Sequence, residues 1–281
     1  MRWYCYRYIL VVMVLAGLAL PNRAQAQEWD YGVWAGFSNY FGDLNTRTSF
    51  EYMGPGAGVF TRYNMGYRFA WKNSFNFGKV SFADEASPDP FQRARNLSFH
   101  SNIIEIASQI EINFFKYDRR NDRNKFTPYL TFGVAGFYFN PKAELNGETY
   151  TLQPVGTEGQ NDAANGKKPY SRVNFAIPIG GGFKYSFHPA WTLGVELGVR
   201  KTMTDYLDDV SGTYPANVYS FAVSRNIAEA LSDRSGEVGE PIGYAGKQRG
   251  MSSKKDDYLF FGLSLSYTVL KVRCPWPSRI L

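Results

Sequence analysis

The chain of 281 residues is poor in the groups that do metal and acid–base chemistry, with two cysteines and two histidines. A zinc site needs three or four nitrogen, sulfur or oxygen ligands, usually at recognisable spacing, and a Ser-His-Asp site needs a histidine held between a serine and a carboxylate. His100 with Ser98 or Ser101 is the one formal candidate, and His188 stands in a tight turn. An exposed or interfacial histidine is the commoner explanation of both, so no enzyme and no cofactor is expected. Gly180-Gly181-Gly182 is not a phosphate loop, because no helix follows it. Long apolar runs are also missing. The longest, Ile9 to Leu20, is too short to cross a bilayer as a helix, and the mean hydropathy is −0.34. No amphipathic helical period persists, which argues against a helical bundle.

The short apolar run has a different use. Arg2 and Arg7 precede it, Pro21 breaks it, and Ala24-Gln25-Ala26 follows as a small-x-small cleavage site. This is the layout of a secretory signal over 1–26, with a mature chain starting near Gln27. No cysteine sits at the cleavage point, which argues against a lipoprotein. Cys5 leaves with the signal and Cys274 remains alone, so a free thiol or an intermolecular bond is expected in an oxidising compartment. Removing Arg2, Arg7 and Arg23 from the 31 basic residues leaves 28 against 25 acidic ones, too small an excess to indicate nucleic-acid binding.

What the chain has in quantity is aromatic residues, 17% of the total, and 27 glycines. It also has period-two alternation in segments of about ten residues, the mark of a barrel wall with one oily and one polar face. Leu259, Phe261, Leu263, Leu265, Tyr267 and Val269 alternate with Phe260, Gly262, Ser264, Ser266 and Thr268. Similar segments run through 173–185, 193–200, 104–114 and 130–135, with fainter ones at about 30–41, 56–65 and 70–82. Pro178 falls on the inward face and predicts a bulge. The connections sort into two groups. Those at 66–69, 116–126 and His188-Pro189 are short; those at 42–55, 83–97, 140–172 and 204–256 are long. Short turns on one side and long loops on the other match an all-β, eight-stranded antiparallel transmembrane barrel of outer-membrane type, spanning 27–272 with a tail at 273–281. Both termini then lie in the periplasm. A soluble lipocalin-like barrel is the competing architecture, because one sequence does not say which face points inward. Glu105, Glu111, Glu196, Arg62, Lys184 and Arg200 are expected to pair across a filled lumen.

Two polar constellations stand out. Thr204-Asp205-Tyr206-Leu207-Asp208-Asp209-Val210-Ser211-Gly212-Thr213-Tyr214 could place Asp205, Asp208 and Asp209 around Ca²⁺, but the order is not an EF-hand. A capped turn with Gly212 at positive φ is the favoured account. The turn Lys116-Tyr117-Asp118-Arg119-Arg120-Asn121-Asp122-Arg123 is unusually charged for a periplasmic hairpin and suits a polar contact surface. In the last long connection, Ser224 to Leu231 reads as a short helix. Lys247, Arg249, Lys254 and Lys255 make its end basic, through solvation or contact with lipopolysaccharide.

The run 204–214, together with Gly42-Asp43-Leu44-Asn45, Gln248-Arg249-Gly250 and Cys274-Pro275, resembles the PorG-like outer-membrane proteins of Bacteroidetes, a barrel component of the type IX secretion system. Asp205, Tyr206, Asp208, Asp209, Ser211 and Gly212 carry most of the likeness. The ending Trp276-Pro277-Ser278-Arg279-Ile280-Leu281 departs from it. The resemblance implies a non-enzymatic barrel in the outer membrane of a Gram-negative bacterium, anchoring a periplasmic ring of a lipoprotein and its partner. Lys116, Asp118, Arg119, Arg120, Asp122, Arg123 and the tail with Cys274 would then meet those partners, and outer-membrane lipid and lipopolysaccharide would surround the wall. A generic small barrel, acting as a narrow channel or binding through its outer loops, is the alternative; a lipid-modifying barrel enzyme would need a polar cluster that two scattered histidines do not supply.

Overall fold

Alternation sets the strands, and their pairing sets everything else. A computed structural model describes residues 28–47, 49–161, 167–218, 220 and 222–269. The signal segment and the tail with Cys274 lie outside these residues. Ten strands follow in order: β1 (Glu28–Phe41), β2 (Gly54–Asn64), β3 (Phe69–Ala83), β4 (Ser98–Asn113), β5 (Phe126–Tyr138), β6 (Lys142–Leu145), β7 (Glu148–Thr151), β8 (Val173–His188), β9 (Trp191–Thr202) and β10 (Asp257–Val269). Eight of them close a barrel in the order β1-β2-β3-β4-β5-β8-β9-β10. β1 runs antiparallel to β10 from Trp29↔Val269 to Phe41↔Asp257, so no edge is left open. β3 and β4 pair over their whole length, Phe69↔Ile112 to Ala83↔Ser98. Closure satisfies the backbone groups that hydrocarbon cannot.

The two faces differ sharply. Outward side chains are apolar and bare: Val33 is 55% exposed, Ile106 67%, Phe175 69% and Leu263 65%. Inward ones include Glu105, Glu111, Arg62 and Lys184, all 2% exposed or less. A soluble barrel would bury the first set and wet the second, so the surrounding medium is lipid. At the end where the described chain starts and stops, Trp29, Tyr63, Trp71, Tyr185, Trp191 and Tyr267 form an aromatic girdle. Amphipathic rings favour a membrane–water boundary. That terminal end carries the short connections 65–68, 114–125 and 189–190. The opposite end carries the long ones, 42–53, 84–97, 139–172 and 203–256.

The long connections have structure of their own. β6 and β7 form a hairpin over Asn146-Gly147, both at positive φ (54° and 81°), and lean on β4 through His100↔Lys142. A helix at Pro90–Arg95 starts under the Asp89 carboxylate, which accepts from Phe91 N–H at 2.9 Å, and stops at left-handed Asn96. Ser224 precedes a helix at Arg225–Ser232. The hydrophobic core lies at this end: Leu44, Phe82, Phe99, Phe137, Phe139, Leu152, Leu207 and Leu231 pack with Tyr40 and Tyr258 across the barrel mouth.

Two expectations are corrected. No bulge forms at Pro178, which faces Arg200 in unbroken register; the ladder to β5 lapses beside it, between Phe132↔Ile179 and Ala135↔Ala176, with no shift. Proline removes one donor without adding a residue, so a lapse suffices. The irregularity falls at Ser186/His188 instead, where the chain turns. In the 204–214 run, the positive φ belongs to Asp209 (66°), not to Gly212. Aspartate tolerates that region, because its short side chain bonds locally.

Candidate functional site

Five cations and five carboxylates fill the lumen from the terminal end to its middle: Arg62, Lys72, Arg119, Lys184 and Arg200 with Glu28, Asp30, Glu105, Glu111 and Glu196. Arg119 closes the terminal mouth, donating to Glu28 at 3.0 Å and to Asp30 at 2.6 Å. Deeper in the lumen, Glu111 accepts from Lys184 at 2.6 Å and from Arg62 at 3.0 Å. In the next tier Glu196 receives Lys72 and the Tyr129 hydroxyl, each at 2.6 Å. Deeper still, Glu105 accepts from Arg200 Nε at 3.1 Å and from Asn76 and Tyr258 at 2.6 Å each. Asn76 in turn accepts from the Trp34 indole at 2.7 Å. Among the lining residues Trp34, Lys72, Glu196 and Arg200, a cavity of about 20 Å³ remains, room for a single water. Eight strands leave a bore that side chains can fill, and here charge neutrality lets ions fill it.

All six lumen residues expected from the sequence meet as expected. Glu28, Asp30, Lys72 and Arg119 join them without having been singled out for that role. The Gly180-Gly182 stretch explains itself by space: a Cβ on Gly182 would stand 2.2 Å from the Val195 carbonyl and 2.9 Å from the Tyr129 ring. Bare backbone there lets Tyr129 reach Glu196.

The long-loop end is closed by a second, different seal. The Tyr40 hydroxyl bridges Asp208 and Asp256. Ser211 Oγ donates to Asp205 at 2.6 Å, and Asp209 accepts from the Thr157 and Tyr170 hydroxyls. Glu158, fully buried, accepts from the backbone N–H of Ser211 (2.9 Å) and Gly212 (3.0 Å). Arg249 donates to Glu158 at 3.3 Å, to the Asp209 carbonyl at 2.7 Å and to the Ser232 carbonyl at 3.2 Å. Arg95 holds Asp84 with two bonds of 2.7 Å and reaches the carbonyls of Asp43 and Arg249. All four long connections therefore meet in one buried knot. Burial pushes the carboxyls of Asp205 and Asp209 up to about 6. Burial, then the neighbouring Asp43 and Asp208 charges, raises Asp208 and Asp256 well above the usual range. Asp205, Tyr206, Asp208, Asp209, Ser211 and Gly212 thus lie together in this cap. Among the described residues, no set of three or more His, Cys, Asp or Glu side chains is arranged to hold a metal.

The other singled-out residues scatter. Arg249 is buried in the knot, so the basic end of its loop is narrower than the sequence suggested. Lys247 lies over the Phe91 and Tyr244 rings, while Lys254 and Lys255 are exposed. His100 and Ser101 point to opposite faces of β4, and Ser98 accepts from Arg234. His188 Nδ1 accepts from Ala190 N–H in its turn. Around the charged terminal turn, Arg119 is buried, Asp118 is half-buried, and Lys116, Arg120, Asp122 and Arg123 are exposed. Lys116 lies 4.4 Å above the Tyr67 ring, and Asp122 pairs with Lys125 at 2.5 Å.

Residues 7–225 match the family described as "Domain of unknown function (DUF6089)". No curated protein matches the chain. Solved structures similar to it include a major outer membrane protein from Thermus thermophilus, at 11% identity and TM-score 0.42 over 87% of this chain and 100% of that one. The attachment invasion locus protein Ail of Yersinia pestis is similar at 10% and 0.41 over 87% and 100%, and OprG of Pseudomonas aeruginosa at 9% and 0.39 over 86% and 97%. The barrel reading stands on strand closure and the two faces of the wall, without help from likenesses of this size.

Proposed function

Because the chain belongs to the DUF6089 family and closes into a filled barrel with a lipid-facing wall, we propose that it is a non-conducting, non-enzymatic anchor in the outer membrane of a Gram-negative bacterium. On this reading the terminal end faces the periplasm and holds a ring complex of the type IX secretion system, a lipoprotein and its partner. The observation that carries it is the double closure: an ion-paired plug in the lumen and a knotted cap over the loops. A barrel shut at both ends has only its rims, loops and wall to work with. The identity of the partners rests on the resemblance of residues 204–214 and the smaller motifs. Its test is purification from outer membranes in mild detergent, followed by identification of what accompanies the barrel. Ring proteins should co-purify; their absence at native expression would refute the reading.

Cys274 adds a second contact in this scheme, a disulfide to a ring protein. Non-reducing gels of wild type and Cys274→Ser should then differ by the mass of the partner. A competing reading is a surface-binding barrel acting through the outer loops. The exposed Tyr244 (66%), Val238 (59%) and Met251 (49%) on an ordered cap favour it. Whole-cell binding that survives loss of the periplasmic partners would support this alternative.

A further inference from the structure

The terminal mouth is not flat. Outside Arg119 lies a pocket of about 240 Å³, lined by Glu28, Asn64, Tyr67, Tyr117, Arg119 and Arg120 among others. Its lining balances Glu28 and Asp118 against Arg119 and Arg120, but the rim around it is basic. Glu28 and the short connections at this end supply six cations (Arg68, Lys116, Arg119, Arg120, Arg123 and Lys125) against three carboxylates (Glu28, Asp118 and Asp122). Each of those carboxylates is engaged. Glu28 bridges Arg119 and Arg120, Asp118 accepts from Arg120 N–H at 3.1 Å, and Asp122 holds Lys125. The cations are not so fully used. Arg120 is 54% exposed with one partner, and Lys116 and Arg123 are exposed as well. Arg119 is 5% exposed, yet its Nε has no acceptor. That atom is itself enclosed, so an incoming acceptor meets the exposed guanidinium of Arg120 first.

We propose that this pocket receives an acidic side chain from an extended segment of a periplasmic protein, held by Arg119 and Arg120 with Tyr67 and Tyr117 at its sides. The inference rests on the anchor reading for the orientation of the barrel and names the chemistry of its contact. Complementarity of sign chooses the occupant. The chain's own segment after Val269 carries Lys271, Arg273 and Arg279 as its charged side chains, of the same sign as the rim. Phosphates of the inner leaflet could meet the exposed cations, but a headgroup in the bilayer plane would not enter a mouth inside the girdle.

The test uses the full protein purified in detergent and a fluorescein-labelled hexa-glutamate peptide, read by anisotropy. The peptide should bind with strong salt dependence, and hexa-lysine should not. Arg120→Glu with Arg123→Glu should weaken binding at least tenfold. Asn64→Trp, which fills the pocket without changing charge, should do the same while the folded band shift on gels is kept. Wild-type binding by Asn64→Trp would reduce the effect to diffuse rim charge and overturn the proposal, as would no binding at low salt. A photo-crosslinker at Tyr67 in cells should give a protein adduct that Arg120→Glu removes; adducts to phospholipid alone would also overturn it. Ring proteins that still co-purify with the Asn64→Trp and Arg120→Glu variants would leave the anchor reading standing and sink this pocket. Peptide binding without any co-purifying ring protein in wild type would do the reverse.

Discussion

Glu111 holds two cations at once, Lys184 at 2.6 Å and Arg62 through Nε at 2.8 Å, with no water-exposed surface of its own. Glu111→Gln keeps the shape and removes the charge, leaving two buried cations facing each other. Breaking a buried pair costs about 3–5 kcal/mol. The urea midpoint of the refolded barrel should fall accordingly, and Lys184→Gln in the same chain should recover part of the loss, a coupling that a double-mutant cycle reads directly. A loss below about 1 kcal/mol would mean that water screens the lumen. Glu111 was legible because it interrupts an apolar alternation, Ile110-Glu111-Ile112. The same period puts Asp30 and Lys72 inward, but their strands are faint, and Arg119 sits in a turn where no period operates. In the cap the sign of the charge effect reverses. Asp209 titrates at about 6 because burial disfavours its carboxylate, whereas an unfolded aspartate titrates near 4. The folded form therefore binds its proton more tightly. The stability it contributes is complete below about pH 4 and is lost as pH rises through about 6. Asp205, also at about 6, acts in the same direction. Loop protection against protease should be greater at pH 5 than at pH 7.5, and Asp209→Asn should flatten that difference. Equal protection at both values in wild type would contradict the assignment.

The β6–β7 hairpin is an element that local chemistry makes nearly alone. Asn-Gly is the strongest short signal for a two-residue hairpin turn, and Asn146-Gly147 sits between Ala143-Glu144-Leu145 and Glu148-Thr149-Tyr150. The signal was present inside a connection read only as long, because four-residue strands give too few alternations to register. The helix at Pro90–Arg95 was missed for the same reason; Asp89-Pro90 marks its start, but six residues carry no period. Gly147 offers a clean test of turn strain. Its φ is 81°, and a Cβ there would meet nothing within 4 Å. Gly147→Ala therefore costs only the backbone term, about 1–2 kcal/mol. Hydrogen exchange in β6 and β7 should accelerate roughly 5- to 30-fold, the factor that such energies imply. The barrel's unfolding midpoint should not move, because Gly147 lies at the open tip of the hairpin, away from Ala143 and Leu145, which pack into the core, and from the ladder pair His100↔Lys142. A shifted midpoint would mean that the hairpin supports the wall.

At the scale of the molecule, the odd–even sorting of connection lengths made the barrel and its two ends readable before any contact was known. What it could not supply is how the loops meet. Arg95 reaches the Arg249 carbonyl across 154 residues of sequence, and Arg249 reaches Glu158 across 91. No period links such positions, and only the closed wall brings them together. The result is two seals in series built on different physics. The plug is held by ion pairs in the terminal half, and the cap is held by hydrophobic packing and buried hydrogen bonds at the loop end. Seals in series make a specific electrical prediction. Replacing 204–255 with a short Gly-Ser turn removes the cap and leaves the plug, so a planar bilayer should stay silent. Replacing Arg62, Lys72, Glu105, Glu111, Arg119, Lys184, Glu196 and Arg200 with serine removes the charged plug and leaves the cap, and it too should stay silent. Only the combination should conduct, because only then does a continuous water path run between the two rims. Each protein must first show the folded band shift, since a barrel that fails to insert is silent for the wrong reason. Steady conductance from either single change would break the series arrangement, and conductance from the wild type would remove the closed lumen on which the anchoring role depends.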